Sequence, residues 1–154
     1  MITINTKEFI ENVTNSGALL GLDMGKARIG IALCDSNRII ASPIEAYIRR
    51  NMSKDLGYLG KLSSDNEVVG IVIGLPLELD GSENENCESV RHFANKLNKK
   101  IGLPILLKDE RMSTVAATRA LSETGMTRKK RQSLDDKVAA SIILQSVIET
   151  VKFS

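Results

Sequence analysis

The sequence predicts an α/β fold built on a mixed β-sheet, and two features of the chain indicate it. Between residues 18 and 41, three apolar runs are separated by only a few residues. Such short connections favour an antiparallel meander, because a parallel crossover needs about a dozen residues or more. From residue 52 onward, apolar runs alternate with amphipathic stretches, which is typical of parallel strands with helices packed against the sheet.

The first half of the chain is predicted to hold three strands. Residues 18–23 form an apolar run that ends in an acid and enters a tight turn at Gly25, residues 28–34 form the second strand, and residues 38–41 the third. Residues 1–16 are polar apart from a short helical pattern over residues 6–13. We therefore predict an N-terminal extension over residues 1–16 and one domain over residues 17–154.

The second half is predicted to alternate between helices and strands. The expected order is a helix over residues 52–62, a strand over 68–73, a helix over 83–99 and a strand over 105–108. A last pair of helices follows, the final one over about residues 135–151. Two loops stand out, residues 75–82 and residues 124–133.

Composition excludes several classes of protein. The 154 residues, 42% of them hydrophobic, suffice for one domain with a buried core. The net charge of +2 does not mark a nucleic-acid binder, so a basic surface must come from local clustering. The longest apolar stretch, residues 68–77, is far shorter than the roughly 18 residues of a membrane span. With no secretory leader pattern and no disulfide or zinc spacing between Cys34 and Cys87, we expect a cytoplasmic protein without membrane contact.

Three acids are the candidate catalytic residues. Asp23 ends the first predicted strand, Glu110 follows the last one, and Asp136 lies in the first turn of the final helix. The carboxyl ends of parallel strands gather ligands at one edge of a sheet. Three carboxylates without a nearby His or Cys suit Mg²⁺ or Mn²⁺, and such a site hydrolyses phosphodiesters. The alternative is that they are separately a turn residue, a solvated strand end and a helix-terminal acid.

Two further motifs concern phosphate binding. The segment GLDMGKA over residues 21–27 resembles a P-loop, but its glycines are one residue too close, and Ala27 stands where a Ser or Thr is needed. A basic run, Arg128, Lys129, Lys130 and Arg131, is a candidate contact for a nucleic-acid backbone, with a solvated loop as the alternative.

Four sequence blocks occur in an order and spacing that resemble the YqgF/RuvX family of pre-16S ribosomal RNA nucleases, also described as Holliday-junction resolvase-like proteins. They are LGLDMG (residues 20–25) with RIGIA (28–32), IVIGLP (71–76) with DGS (80–82), DERMST (109–114), and DKVAA (136–140). The resemblance covers about residues 18–150. It implies a ribonuclease-H-like fold with a five-stranded mixed sheet, its first three strands antiparallel, and an acidic metal-dependent nuclease site.

Carried over position by position, the acids of the family fall on Asp23, Glu110 and Asp136. Asp135 is a rival for Asp136, and the small residues that follow favour Asp136. Lys26 stands where the family usually has Thr or Ser. We expect the basic residues of the blocks and of the basic run to bind substrate: Lys26, Arg28, Arg111, Arg128, Lys129, Lys130 and Arg131.

The resemblance implies a metal-dependent endonuclease that acts on structured RNA, at the 5′ end of the 16S rRNA precursor, as a monomer or homodimer. A DNA junction resolvase is the alternative within the same chemistry, and it needs a dimer to present two sites to a two-fold substrate. A non-catalytic RNA-binding factor is a second alternative, although all three acids are present. An actin-like ATPase needs a second lobe, for which 154 residues leave no room.

Overall fold

The protein forms a six-stranded mixed sheet with helices on both faces, in a computed structural model that describes residues 1–111 and 128–152. The strands lie in the spatial order β1-β6-β5-β2-β3-β4. Their bounds are β1 Ile2–Thr3, β2 Ala18–Met24, β3 Arg28–Cys34, β4 Ala41–Ile48, β5 Val68–Leu75 and β6 Ile105–Asp109. The described helices are α1 Thr6–Asn12, α2 Met52–Asp65, α3 Glu85–Ile101 and α4 Arg128–Lys152.

Strand directions confirm the predicted mixed sheet. β2, β3 and β4 form an antiparallel meander, whereas β5 is parallel to β2 and β6 is parallel to β5. The meander therefore follows from short turns, and the pairing of β2, β5 and β6 follows from helical crossovers. These parallel strands end at one edge of the sheet, the edge where β2 meets its turn to β3.

The predicted strand count of five is one too low, because β1 adds an edge strand. Ile2 and Thr3 pair in parallel with Ile105 and Leu106 of β6. A two-residue strand has no periodicity that a sequence could reveal. Phe9 of the adjoining α1 is fully buried, so residues 2–13 extend the sheet and its core.

The predicted position of the third strand is wrong. Residues 38–40 precede β4 instead of forming it, because Asp35 closes a turn here. Its carbonyl accepts from the Arg38 amide at 3.0 Å, and its carboxylate accepts from the Ile39 amide at 3.4 Å. Arg38 takes a positive φ of 54°, which a regular strand does not allow.

Helix α3 matches its prediction to within two residues, but α4 begins earlier than expected. Asn84 caps α3 by accepting from the Cys87 amide at 3.0 Å.

The basic run is predicted to lie in a loop over residues 124–133, whereas the structure places it in the first turn of α4. Lys and Arg are good helix formers, which lets the helix extend through this run. The first helix of the predicted final pair falls outside the described residues.

Two apolar layers hold the helices to the sheet. One face of the sheet packs against α2 and α3 through residues such as Leu59, Phe93 and Leu97. The other face packs against α1 and α4 through residues such as Phe9, Leu144 and Val147.

None of the described helices combines the length and apolar character that a membrane span requires.

Candidate functional site

Asp23 is a buried acid at the carboxyl edge of the sheet. It is the penultimate residue of β2, and only 4% of it is exposed. Alternate side chains of a strand share one face, and Leu19 and Gly21 of the same strand face α4. Asp23 therefore lies on the α4 face, where the strand fixes its backbone on both sides.

Gly30 brings Asp136 to the same place. Gly30 is the partner of Asp23 across the β2–β3 ladder. A Cβ on Gly30 would lie 1.9 Å from the carbonyl oxygen of Asp136, so the backbone of α4 rests directly on this glycine. Only the absence of a side chain allows that approach. Asp136 is thus held over the strand next to Asp23.

Gly74 makes the corresponding space for Glu110 on the other side of Asp23. Leu22 of β2 is in register with Ile73 of β5, so the next residue along each strand brings Gly74 beside Asp23. A Cβ on Gly74 would lie 2.6 Å from Oε2 of Glu110, and this oxygen is buried. The Glu110 carboxylate therefore lies on the α4 face, directly against β5.

The three predicted acids are thereby gathered around one row of the sheet, with Asp23 between two glycines that each support another acid. The donors are carboxylate oxygens only, which fits a hard cation such as Mg²⁺ or Mn²⁺. Among the side chains that the structure describes, no three of His, Cys, Asp or Glu form a metal-ligand cluster. The packing of α4 on Gly30 and of Glu110 against Gly74 therefore brings the three acids to one place.

Sequence reasoning overlooked both glycines as site residues. A signal for them existed, because a glycine inside a strand often marks a close approach of another backbone or a ligand. Gly30 and Gly74 each sit between two isoleucine or leucine residues of a buried strand.

Arg111 lies beside the acids but is engaged with the protein itself. Its Nη2 lies 2.9 Å from Oδ2 of Asp109, and its Nη1 donates to the carbonyl of Leu79 at 3.3 Å. The hydrogen bond from this guanidinium lowers the pKa of the Asp109 carboxyl below its usual value. In this arrangement Arg111 ties the loop after β5 to the end of β6.

The other predicted basic residues lie at the same edge of the sheet. Arg28 opens β3 and, by strand alternation, lies on the α4 face with Gly30. Lys26 lies in the β2–β3 turn and borders a cavity on the opposite face. The basic run occupies the first turn of α4, and its side chains fall outside the described part of the structure.

Comparisons with known proteins show which family the chain resembles. A family model described as RuvX, Holliday junction resolvase, matches residues 17–150. A protein of Ehrlichia chaffeensis named "Putative pre-16S rRNA nuclease" is 44% identical over 152 residues, covering 99% of this chain and 97% of that protein. A protein of Wolbachia pipientis with the same name is 42% identical over 151 residues, covering 98% of this chain and 97% of its own length.

Solved structures give the fold. RuvC of Thermus thermophilus superposes with a TM-score of 0.53 at 10% identity, covering 88% of this chain and 96% of that one. The same protein in complex with a Holliday junction substrate gives a TM-score of 0.56 at 11% identity, with the same coverage. At such low identity the likeness establishes a ribonuclease-H-like fold and nothing further. The family match and the curated relatives extend over nearly the whole chain, and the chain belongs to the RuvX family.

Proposed function

We propose that this chain is a metal-dependent endonuclease that hydrolyses phosphodiester bonds, with Asp23, Glu110 and Asp136 as its catalytic carboxylates. The observation that carries the proposal is the row of the sheet in which Asp23 stands between Gly30 and Gly74, each of which supports one of the other acids. Three separate structural acids would have no need for two glycines that bring the α4 backbone and the Glu110 carboxylate to Asp23.

The three carboxylates would hold Mg²⁺ or Mn²⁺. When bound, such an ion polarises a phosphoryl oxygen, lowers the pKa of water and stabilises the leaving oxygen. The protein's own part is orientation. β2 fixes Asp23, the contact between Gly30 and α4 fixes the backbone at Asp136, and Gly74 leaves space for Glu110. Fixed donors lose little freedom when a ligand binds, which keeps the site close to its productive geometry.

The proposed substrate is structured RNA, at the 5′ end of the 16S rRNA precursor. The names of the curated relatives support the 16S rRNA precursor as the substrate, since the match extends over 97% of their length. The 5′ end as the cleavage position rests on the family resemblance alone. A four-way DNA junction is the second candidate, and the description of the matching family model favours it. A resolvase would need a homodimer with two sites, whereas the RNA reaction needs one. We assign the activity to residues 17–154 of a cytoplasmic protein, with residues 1–16 as an N-terminal extension of that domain.

We expect cleavage to require a divalent cation. Without one, three carboxylates repel a phosphodiester and nothing activates the attacking water. Purified protein is incubated with labelled precursor rRNA, and separately with a labelled four-way DNA junction, in Mg²⁺, Mn²⁺ or EDTA. RNA cleaved at a defined position with either ion, and intact RNA in EDTA, is the expected result. Junction cleavage with intact RNA would establish the resolvase instead, and full activity in EDTA would contradict the metal mechanism.

We expect the basic run to contribute substrate affinity. Helix α4 rises about 1.5 Å per residue, so this run lies roughly 8–12 Å along the helix from Asp136. Replacing Arg128, Lys129, Lys130 and Arg131 by Gln should flatten the plot of log affinity against log salt by about 0.7–0.9 for each phosphate that the variant no longer neutralises. The matched control removes four positive charges from exposed positions of α2 and α3, by replacing Lys61, Lys96, Lys99 and Lys100 with Gln. Equal slopes in both variants would identify the run as a solvated helix end.

A further inference from the structure

A cavity of about 250 Å³ lies at the same edge of the sheet as the acids but on the opposite face. Its apolar wall is formed by Met24 and Val90, which belong to the layer under α3. Its polar lining includes Lys26 and Arg49, which carry positive charge, together with Asn86 and Ser89. We call it the Lys26 pocket. The proposed nuclease reaction leaves this pocket unexplained.

Arg49 is held rigidly at the wall of the Lys26 pocket. Its Nη1 donates to the carbonyl of Gly25 at 2.9 Å, and its Cζ lies 5.5 Å from the centre of the Phe93 ring. Its Nε lies 3.6 Å from Oδ2 of the buried Asp55. The Asp55 carboxylate is also held in place by Tyr47, whose hydroxyl donates to its Oδ1 at 2.9 Å. A guanidinium fixed in this way presents its charge without a large loss of side-chain freedom on binding.

Helix α3 contributes neutral hydrogen-bonding groups to the pocket. Asn86, Ser89 and Val90 are spaced three and four residues apart and lie on one side of the helix. The acids of the first turn, Glu85 and Glu88, are outside this lining. The pocket therefore combines Lys26 and Arg49, the latter paired with the buried Asp55, with an amide and a hydroxyl. Proteins contact phosphate oxygens with donors of these kinds.

We propose that the Lys26 pocket binds a backbone phosphate of the nucleic acid adjacent to the phosphodiester that is cleaved. This inference rests on the proposed nuclease function and adds a second contact point to it. Only two residues separate Asp23 from Lys26, which limits the distance between their Cα atoms to about 10–11 Å. A nucleic-acid strand that crosses the edge of the sheet would therefore place one phosphate at the acids and a nearby phosphate in the Lys26 pocket.

Binding of an RNA oligonucleotide in EDTA tests the pocket without any cleavage. Asn86→Asp is the main variant, because it keeps the shape of the side chain and adds a negative charge to the pocket. Asn86 is in the first turn of α3, where an acid favours the helix, so weaker binding cannot come from a weakened helix. Lys26→Ala removes a cation from the same pocket. Lys100→Ala, at the far end of α3, lowers the net charge by the same single unit and is the control.

The expected result is about tenfold weaker binding by Asn86→Asp and by Lys26→Ala, as for the loss of one charge-assisted contact. The salt slope of Lys26→Ala should also fall by about 0.7, the value for one phosphate contact on a single strand. Lys100→Ala should bind as the wild type does. If both pocket variants bind RNA like Lys100→Ala, the proposal is wrong.

A titration with inorganic phosphate distinguishes a phosphate of the nucleic-acid backbone from a free anion as the ligand of the Lys26 pocket. Its effect on the backbone amide NMR signals of Gly25, Lys26 and Asn86 is measured in the wild type. Shifts with phosphate, together with unchanged RNA binding in both variants, would identify a site for a free anion and overturn the proposal. Cleavage by the wild type in Mg²⁺ is measured separately. If the pocket proposal is wrong, the wild type still cleaves RNA in this assay. If the proposed nuclease function is wrong, the wild type does not cleave RNA in Mg²⁺, whatever the binding results.

Discussion

Replacing Gly30 by Ala is expected to destabilise the protein by about 3 kcal/mol and to abolish most of its cleavage activity. The added Cβ would lie 1.9 Å from the Asp136 carbonyl oxygen, which belongs to the helix backbone and cannot rotate away. Helix α4 must therefore shift away from β3 and carry Asp136 with it. A displacement of about 1 Å at a catalytic group costs on the order of a hundredfold in rate. Chemical denaturation and the RNA cleavage assay measure the two effects.

Gly57→Ala is the matched control for this substitution. Gly57 lies within α2, and a Cβ there would meet nothing within 4 Å. Alanine is favoured over glycine inside a helix, so this variant should gain about 0.5–1 kcal/mol and keep full activity. A Gly30→Ala protein as stable and as active as Gly57→Ala would contradict the close packing of α4 on β3.

Removing any one of the three acids should abolish catalysis while the fold is kept. Asp23→Asn, Glu110→Gln and Asp136→Asn preserve the shape of each side chain but replace a carboxylate, the proposed metal ligand, by a neutral amide. We expect each to lower the cleavage rate by at least about a hundredfold, the typical loss when one group that stabilises transition-state charge is removed. Single-turnover cleavage of labelled RNA gives the rate, and circular dichroism checks the fold.

Asp135→Asn is the control for the last helix, because Asp135 is the neighbour of the proposed ligand. It should keep most of its activity. If Asp135→Asn is inactive and Asp136→Asn cleaves normally, the assignment on α4 is off by one residue. The position of the Asp136 backbone over Gly30 would then serve to orient Asp135 instead.

Apolar patterning was sufficient to predict most of the sheet. The runs that became β2, β3, β5 and β6 are short, buried and bounded by turn residues, so each predicts a strand. β1 and β4 were not found correctly. β1 has only two residues, and the exposed Ile39 and Ile40 drew the prediction of β4 toward the turn that Asp35 closes. A local turn competed with strand-like residues there and prevailed.

Asp23 and Glu110 were predictable from strand ends, whereas Asp136, expected in the first turn of the last helix, lies inside α4, which begins at Arg128. What brings the three acids together was not predictable. The contact of Gly30 with Asp136 joins residues more than a hundred positions apart, and no local pattern encodes it. The Lys26 pocket is a similar case, since its walls come from the β2–β3 turn, the segment after β4 and helix α3. Sequence identified the charged residues, and the packing of distant elements decides which of them act together.

Binding of Mn²⁺ to the wild type and to single variants tests the shared carboxylate site most directly. Titration calorimetry on wild type, Asp23→Asn, Glu110→Gln, Asp136→Asn and Asp135→Asn measures affinity without any substrate. Loss of a group that merely supports a metal ligand typically weakens affinity by about tenfold, so loss of a ligand should weaken it by at least that much. We predict this loss in all three acid variants and wild-type affinity in Asp135→Asn. Unchanged Mn²⁺ affinity in the three acid variants would contradict a common metal site at Asp23, Glu110 and Asp136.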